Sequence, residues 1–277
     1  MRKTINKLFL IITVISALLL TTGCDLFIKT NKGQVDQKWY MGLTYEDDNG
    51  NDTDYTIGTD GTIAAVALED GYGDEFGIIK GEEAYLNINT IIKNIDKRFY
   101  VDATNNLVMF TDATKTYKTK IGGKTINETE NTDYVISFMD GKNCYVNVKF
   151  VKKYVDFDYK VVKAEGKSPA RIVLKYTSGE KNQMTVKSNI EMRTKADYQN
   201  LIVTTLKKNT KVTVLEESGD WTKVGTDDGF MGYVPAKKLK DKETKKTEFK
   251  SDADTYTHVL MNKKISLGWN AITNLTA

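Results

Sequence analysis

The sequence predicts a mainly β protein with short helices, in which an α+β repeat domain is followed by a small β-barrel. Three observations carry that expectation. Only 2 of 277 residues are Pro, while Tyr, Val, Ile and Thr are plentiful and Gly, Asn and Asp punctuate short apolar runs. Residues 85–101 can be laid without gaps on residues 145–161, an offset of 60. From Met184 onward the chain reads as brief strands joined by tight turns, a spacing that suits a small barrel.

In chain order, residues 1–23 come first. Arg2, Lys3 and Lys7 precede an apolar run from Leu8 to Leu20, which leads into Leu20-Thr21-Thr22-Gly23-Cys24. The basic start holds a leader on the cytoplasmic side, and the apolar run is too short for a stop-transfer helix. The segment resembles a bacterial lipoprotein signal peptide. The resemblance implies cleavage before Cys24, acyl chains on that cysteine, and attachment to the extracytoplasmic face of the cell membrane. Residues 24–38 then read as a tether.

Cleavage also changes the charge balance. Removing Arg2, Lys3 and Lys7 from 40 basic residues leaves 37, against 37 acidic ones. A balanced surface gives no footprint for nucleic acid. With Cys24 lipidated, Cys144 has no cysteine partner and reads as a small buried side chain. His258 is the only histidine, so the sequence argues against a transition-metal centre and implies no cofactor.

Residues 39–180 form the expected repeat domain. Tyr85/Tyr145, Asn87/Asn147, Lys93/Lys153, Asp96/Asp156 and Val101/Val161 are identical between the two copies. In each copy an alternating strand runs into a set spaced like one helical face (Ile88, Ile91, Ile92 and Ile95 in the first). It then returns to a strand, at Leu107 to Thr111 or Arg171 to Tyr176. A helix of about two turns cannot bury its face alone, so the copies are expected to share one core. The arrangement resembles the small repeat domain named after the N-terminal region of copper amine oxidases, which in Gram-positive surface proteins is an accessory or binding module. Residues 47–54 invite a calcium reading, but the spacing fits no EF-hand loop. A polar hairpin turn between Trp39 to Tyr45 and Tyr55 to Ile57 accounts for them better.

Residues 184–240 carry four motifs in order: Asn189 to Arg193, Leu206 to Leu215, Asp220 to Val224, and Asp228 to Val234. Together they resemble the bacterial Src-homology-3 wall-binding family. Asn209 stands where Gly is customary, which Asn tolerates because it accepts positive φ, and Tyr233 replaces the commoner Trp. The resemblance implies a shallow cleft bordered by the Asn-x-x-x-Arg segment and a loop at about Thr194 to Leu201. Aromatic rings there would meet sugars or the stem peptide of peptidoglycan. The ligand-binding candidates are Arg193, Tyr198, Trp221 and Tyr233. Trp221 could equally pack in the barrel core, Tyr233 could merely close the last strand, and Arg193 could brace the loop.

Residues 241–257 mix charges with almost no apolar content and read as a linker. The last 20 residues, 258–277, resemble the opening of family 18 glycoside hydrolases through Lys264 to Trp269. The barrel and its acidic motif are absent from the sequence, and no Ser-His-Asp or Cys-His set replaces them, so the expectation is a non-catalytic chain. Three functions follow. The first is a membrane-anchored lipoprotein binding cell-wall peptidoglycan or glycan. The second is the targeting region of a truncated chitinase-like or wall-lytic hydrolase, and the third a protein-interaction scaffold at the cell surface.

Overall fold

The computed structural model describes residues 30–58, 60–176 and 179–247. Cys24, His258 and residues 258–277 lie outside the described residues. Mostly β, as expected, the chain folds around two seven-stranded sheets.

The first sheet runs Ser137–Asp140, Asn143–Asn147, Glu83–Asn87, Gly77–Lys80, Thr62–Ala67, Ala170–Tyr176, Phe157–Val162. Every neighbouring pair is antiparallel except Ala170–Tyr176 on Thr62–Ala67, which is parallel. At its centre the two repeat copies pair with each other: Tyr145 opposite Asn87, Val146 opposite Leu86, Asn147 opposite Tyr85. Residues 86 and 146 are equivalent positions, so a local two-fold passes between them.

The same two-fold repeats the turn chemistry. Asn87 and Asn147 each end a strand, and each accepts from the backbone N–H two residues on, at 2.9 and 2.8 Å, capping the helix that follows. The second of these helices is shorter than the expected two turns, and the first reaches that length only through a π-helical turn. Val148–Lys152 is a single turn, and Ile88–Thr90 continues as a π-helical turn, Ile91–Ile95. Both sets of apolar positions (Ile88, Ile91, Ile95 and Val148, Val151, Val155) are buried in one core with Leu86 and Val146. Burial of each such side chain contributes about 1.5–3 kcal/mol, which so short a helix could not supply from its backbone. A three-stranded meander, Phe99–Asp102, Leu107–Thr111 and Thr116–Lys120, closes this core through Phe99, Val108 and Phe110.

Alternation sends Ala65, Ile78, Tyr85 and Tyr145 to the opposite face of the sheet, into a second core. That core continues into the C-terminal domain through Val186, Met192, Val203, Val224 and Val234. The N-terminal segment contributes Val35, Met41 and Leu43.

The second sheet runs Ile202–Leu206, Ile190–Arg193, Met231–Pro235, Trp221–Gly225, Lys211–Ser218, Gly179–Val186, Leu239–Thr247. It does not close into the expected barrel. The free edge at Ile202 is taken by the N-terminal segment: Ile202 donates its N–H to Gly33 O and Val35 donates to Ile202 O, both at 2.9 Å, in a parallel bridge centred on Gln34. Residues 33–35, within the segment read as a tether, are therefore tied to this edge by an isolated bridge. Residues 241–247, read as linker, form the end of the last strand and pair with Gly179–Val186. Asn209 has φ 68°, the conformation expected of it.

The two sheets meet at close quarters. Gly229, at φ +86°, approaches so near that an added Cβ would lie 2.8 Å from Val173 Cγ2 and 3.1 Å from Ala67 Cβ. Around it, Arg171 donates Nε to Asp228 O at 2.6 Å and lays its guanidinium 4.4 Å from the Phe230 ring centroid. Tyr72 donates its hydroxyl to Gly229 O at 3.0 Å, and Tyr40 donates to Met231 O at 3.0 Å. Residues 47–51 turn between Thr44–Glu46 and Asp52–Asp54, with the Asp47 carboxylate accepting from Asn49 N and Asn51 N; the hairpin arms are these two strands rather than the expected Trp39 to Tyr45 and Tyr55 to Ile57, and Trp39 lies in the helix Gln37–Tyr40.

Candidate functional site

The loop 194–201 joins Ile190–Arg193 to Ile202–Leu206 and is closed by Thr194 N–H donating to Leu201 O at 3.0 Å. Its rigidity comes from Arg193. That side chain is 1% exposed, yet its Nη1 donates to Asn200 O at 2.6 Å and to Asn31 O at 2.9 Å, while Nη2 pairs with Glu191. Carboxylate and carbonyls replace water around the guanidinium. Arg193 thus braces the loop from beneath.

Tyr198 leaves this loop to stand edge-on against Trp221, with ring centroids 4.8 Å apart and an interplanar angle of 62°. The Arg193 guanidinium lies 5.9 Å from the Tyr198 ring. Tyr233 is the cross-strand partner of both Arg193 and Lys223. Along Trp221–Gly225 the burial alternates, with Thr222 and Val224 inside and Trp221 and Lys223 half-buried on the other face. Trp221 is therefore no core residue of this sheet. The four candidates fall into one neighbourhood, three as partly accessible rings or ring edges and one as the buried brace.

A further aromatic pair arrives from outside the C-terminal domain. Asp36 caps the short helix Gln37–Tyr40 by accepting from Lys38 N and Trp39 N, and Gln37 Nε2 donates to Val203 O at 2.9 Å. This places Val35, Trp39 and Tyr40 along one wall of a groove of ≈ 390 Å³. Thr194, Lys195, Gln199, Asn200 and Leu201 form the other wall. Tyr40 and Tyr233 are electrostatic neighbours, and burial, with a smaller push from Tyr233, raises the Tyr40 phenol to about 12. Sequence reasoning missed Trp39 because it assigned residues 39–45 to a hairpin arm. The Asp36 cap was the available signal.

Cys144 is 3% exposed in the first core, and burial pushes its thiol up to about 12. Among the described residues no group of three or more His, Cys, Asp or Glu is placed to hold a metal ion, and no helix is long and apolar enough to cross a membrane.

No curated protein and no solved structure is similar to this chain. No enzyme family matches it. Bacterial Src-homology-3 domains are often cell-wall-binding modules and are typically non-catalytic. Residues 188–240, which hold Arg193, Tyr198, Trp221 and Tyr233, match the bacterial SH3 domain.

Proposed function

We propose that the protein is a lipoprotein anchored through Cys24 to the extracytoplasmic face of the cell membrane, and that its C-terminal domain binds cell-wall peptidoglycan without catalysis. The observation that carries the reading is the Tyr198–Trp221 pair, held at a braced loop within the segment that matches the bacterial SH3 domain. Two partly accessible rings on a fixed backbone offer apolar area to a sugar or peptide with little conformational entropy to lose on binding. Arg193 supports this face without touching ligand, and Tyr198, Trp221 and Tyr233 would make the contact.

Retention on purified peptidoglycan sacculi tests the reading. The chain without its leader is expected to be retained at modest salt, and Trp221→Ala or Tyr233→Ala to weaken retention several-fold; unhindered elution of the unaltered chain would contradict wall binding. For the anchor, metabolic labelling with palmitate is expected to mark the protein, and the Cys24→Ala form to lose the label.

A further inference from the structure

We propose that the groove between the Gln37–Tyr40 helix and the 194–201 loop is a neutral-saccharide subsite with Trp39 as its stacking platform. This rests on the wall-binding reading above and deepens it, because it selects glycan over stem peptide and assigns the contact to a residue outside the C-terminal domain.

The first argument is exposure. Trp39 is 54% exposed and Leu201 38% exposed, both among the most exposed large apolar side chains of the described residues, and they belong to the two walls of one groove. Single exposed apolar residues are ordinary. Two that line one concave site of ≈ 390 Å³ are a different matter, since the volume falls within the ordinary range for small-ligand sites. Two large side chains are far too little for a stable protein interface, which needs about 800 Å² on each partner.

The second argument is the chemistry of the rim. Thr194, Gln199 and Asn200 line the groove alongside its apolar residues, with Lys195 as the one charged lining residue. Pyranose rings present an apolar C–H face and equatorial hydroxyl or acetamido groups. An indole face with amide and hydroxyl partners suits them. A stem peptide bearing several carboxylates would call for more cationic groups than a single lysine.

The third argument is that the groove is already built. One wall is fixed by the Asp36 cap and by Gln37 Nε2 on Val203 O; the other is fixed by Arg193 on Asn200 O and by Asn31 N–H on Tyr198 O at 2.9 Å. Neither wall has to be ordered on binding, so stacking energy is not spent on closing the site.

The test uses the leaderless full chain with an N-acetylglucosamine tetramer as probe, followed by calorimetry and by tryptophan fluorescence, alongside retention on sacculi. The proposal expects saturable tetramer binding that weakens at least tenfold in Trp39→Ala, recovers in part in Trp39→Phe, and weakens several-fold in Leu201→Thr from the opposite wall. Trp39 is exposed, so the Ala form should keep the circular dichroism of the parent, and Leu201→Thr supplies an independent reading. Retention on sacculi with no tetramer binding, or tetramer binding indifferent to both substitutions, would overturn the saccharide subsite and leave wall binding standing. Failure on both sacculi and tetramer would overturn both. A dimer in gel filtration that Trp39→Ala dissolves would assign the groove to a second copy of the chain and overturn the subsite.

Discussion

Arg193 donates to the main-chain carbonyl of Asn31 at 2.9 Å, joining positions 162 residues apart in the chain. The same guanidinium nitrogen reaches Asn200 O, so one buried cation holds the N-terminal segment and the 194–201 loop side by side. The groove and the aromatic pair both depend on that loop, so the brace links folding of the N-terminal segment to the recognition surface.

Removing the brace strands two part-buried carbonyls and leaves a cavity where the buried Arg193 side chain stood. Arg193→Ala should cost about 3 kcal/mol in urea unfolding. It should also expose residues 30–35 to limited proteolysis well before the rest of the chain. Arg193→Lys should restore little, because an ammonium cannot span both carbonyls and Glu191 with a planar fork.

The two helix caps give an internal comparison. Asn147 caps Lys149 N–H and also donates Nδ2 to Glu83 at 2.9 Å, whereas Asn87 Nδ2 is buried without a hydrogen-bond partner. Asn147→Ala is therefore expected to cost about 1–2 kcal/mol, and Asn87→Ala less than about 1 kcal/mol, since it also removes an orphaned donor. Chemical denaturation of the two variants checks the order.

Gly229 tests the contact between the sheets. An alanine there would place its Cβ 2.8 Å from Val173 Cγ2 on a backbone at φ +86°. Both effects are unfavourable, and Gly229→Ala should lower stability by about 2–3 kcal/mol. The Met231, Ala67 and Val173 contact should loosen with it, as faster amide exchange in Thr62–Ala67 and Met231–Pro235 would show.

Alkaline pH should weaken the same seam. Burial raises the Tyr40 phenol from 10.0 to about 12, and burial, then proximity to Tyr40, raises Tyr72 as well. A raised folded-state value means that the folded protein keeps a proton the unfolded chain has lost. The contribution is complete below pH about 10 and is lost as pH climbs from there through the folded-state value. Thermal unfolding midpoints should fall over that window, and Tyr72→Phe should flatten the dependence while lowering stability at neutral pH through its lost bond to Gly229 O.

The repeat was legible because its identities sit where local chemistry is demanding. Asn87 and Asn147 are caps, and Tyr85 and Tyr145 face each other's caps across the two-fold. Most strands of the C-terminal sheet were legible from alternation. The bridge from residues 33–35 to Ile202 was not, because it consists of main-chain bonds that leave no side-chain pattern. Residues 241–247 alternate only in charge, yet Glu243 to Thr247 pair with Gln183 to Gly179 beyond a bulge, with Lys242 on Glu217 at 2.7 Å and Thr244 on Asn182 at 2.7 Å. A polar ribbon of that kind looks like linker to any reading that seeks apolar periods. Of the site, the loop and three rings were visible from motif order. Trp39 was hidden because only the fold brings it to the loop.

Equilibrium co-sedimentation of the leaderless chain with purified sacculi, set beside cellulose particles as a control surface, tests the central claim most directly. Saturable depletion from the supernatant by sacculi alone is expected, diminished in a Trp39→Ala, Trp221→Ala double variant that retains its fold. Equal depletion by both particles, or none by sacculi, would contradict that claim.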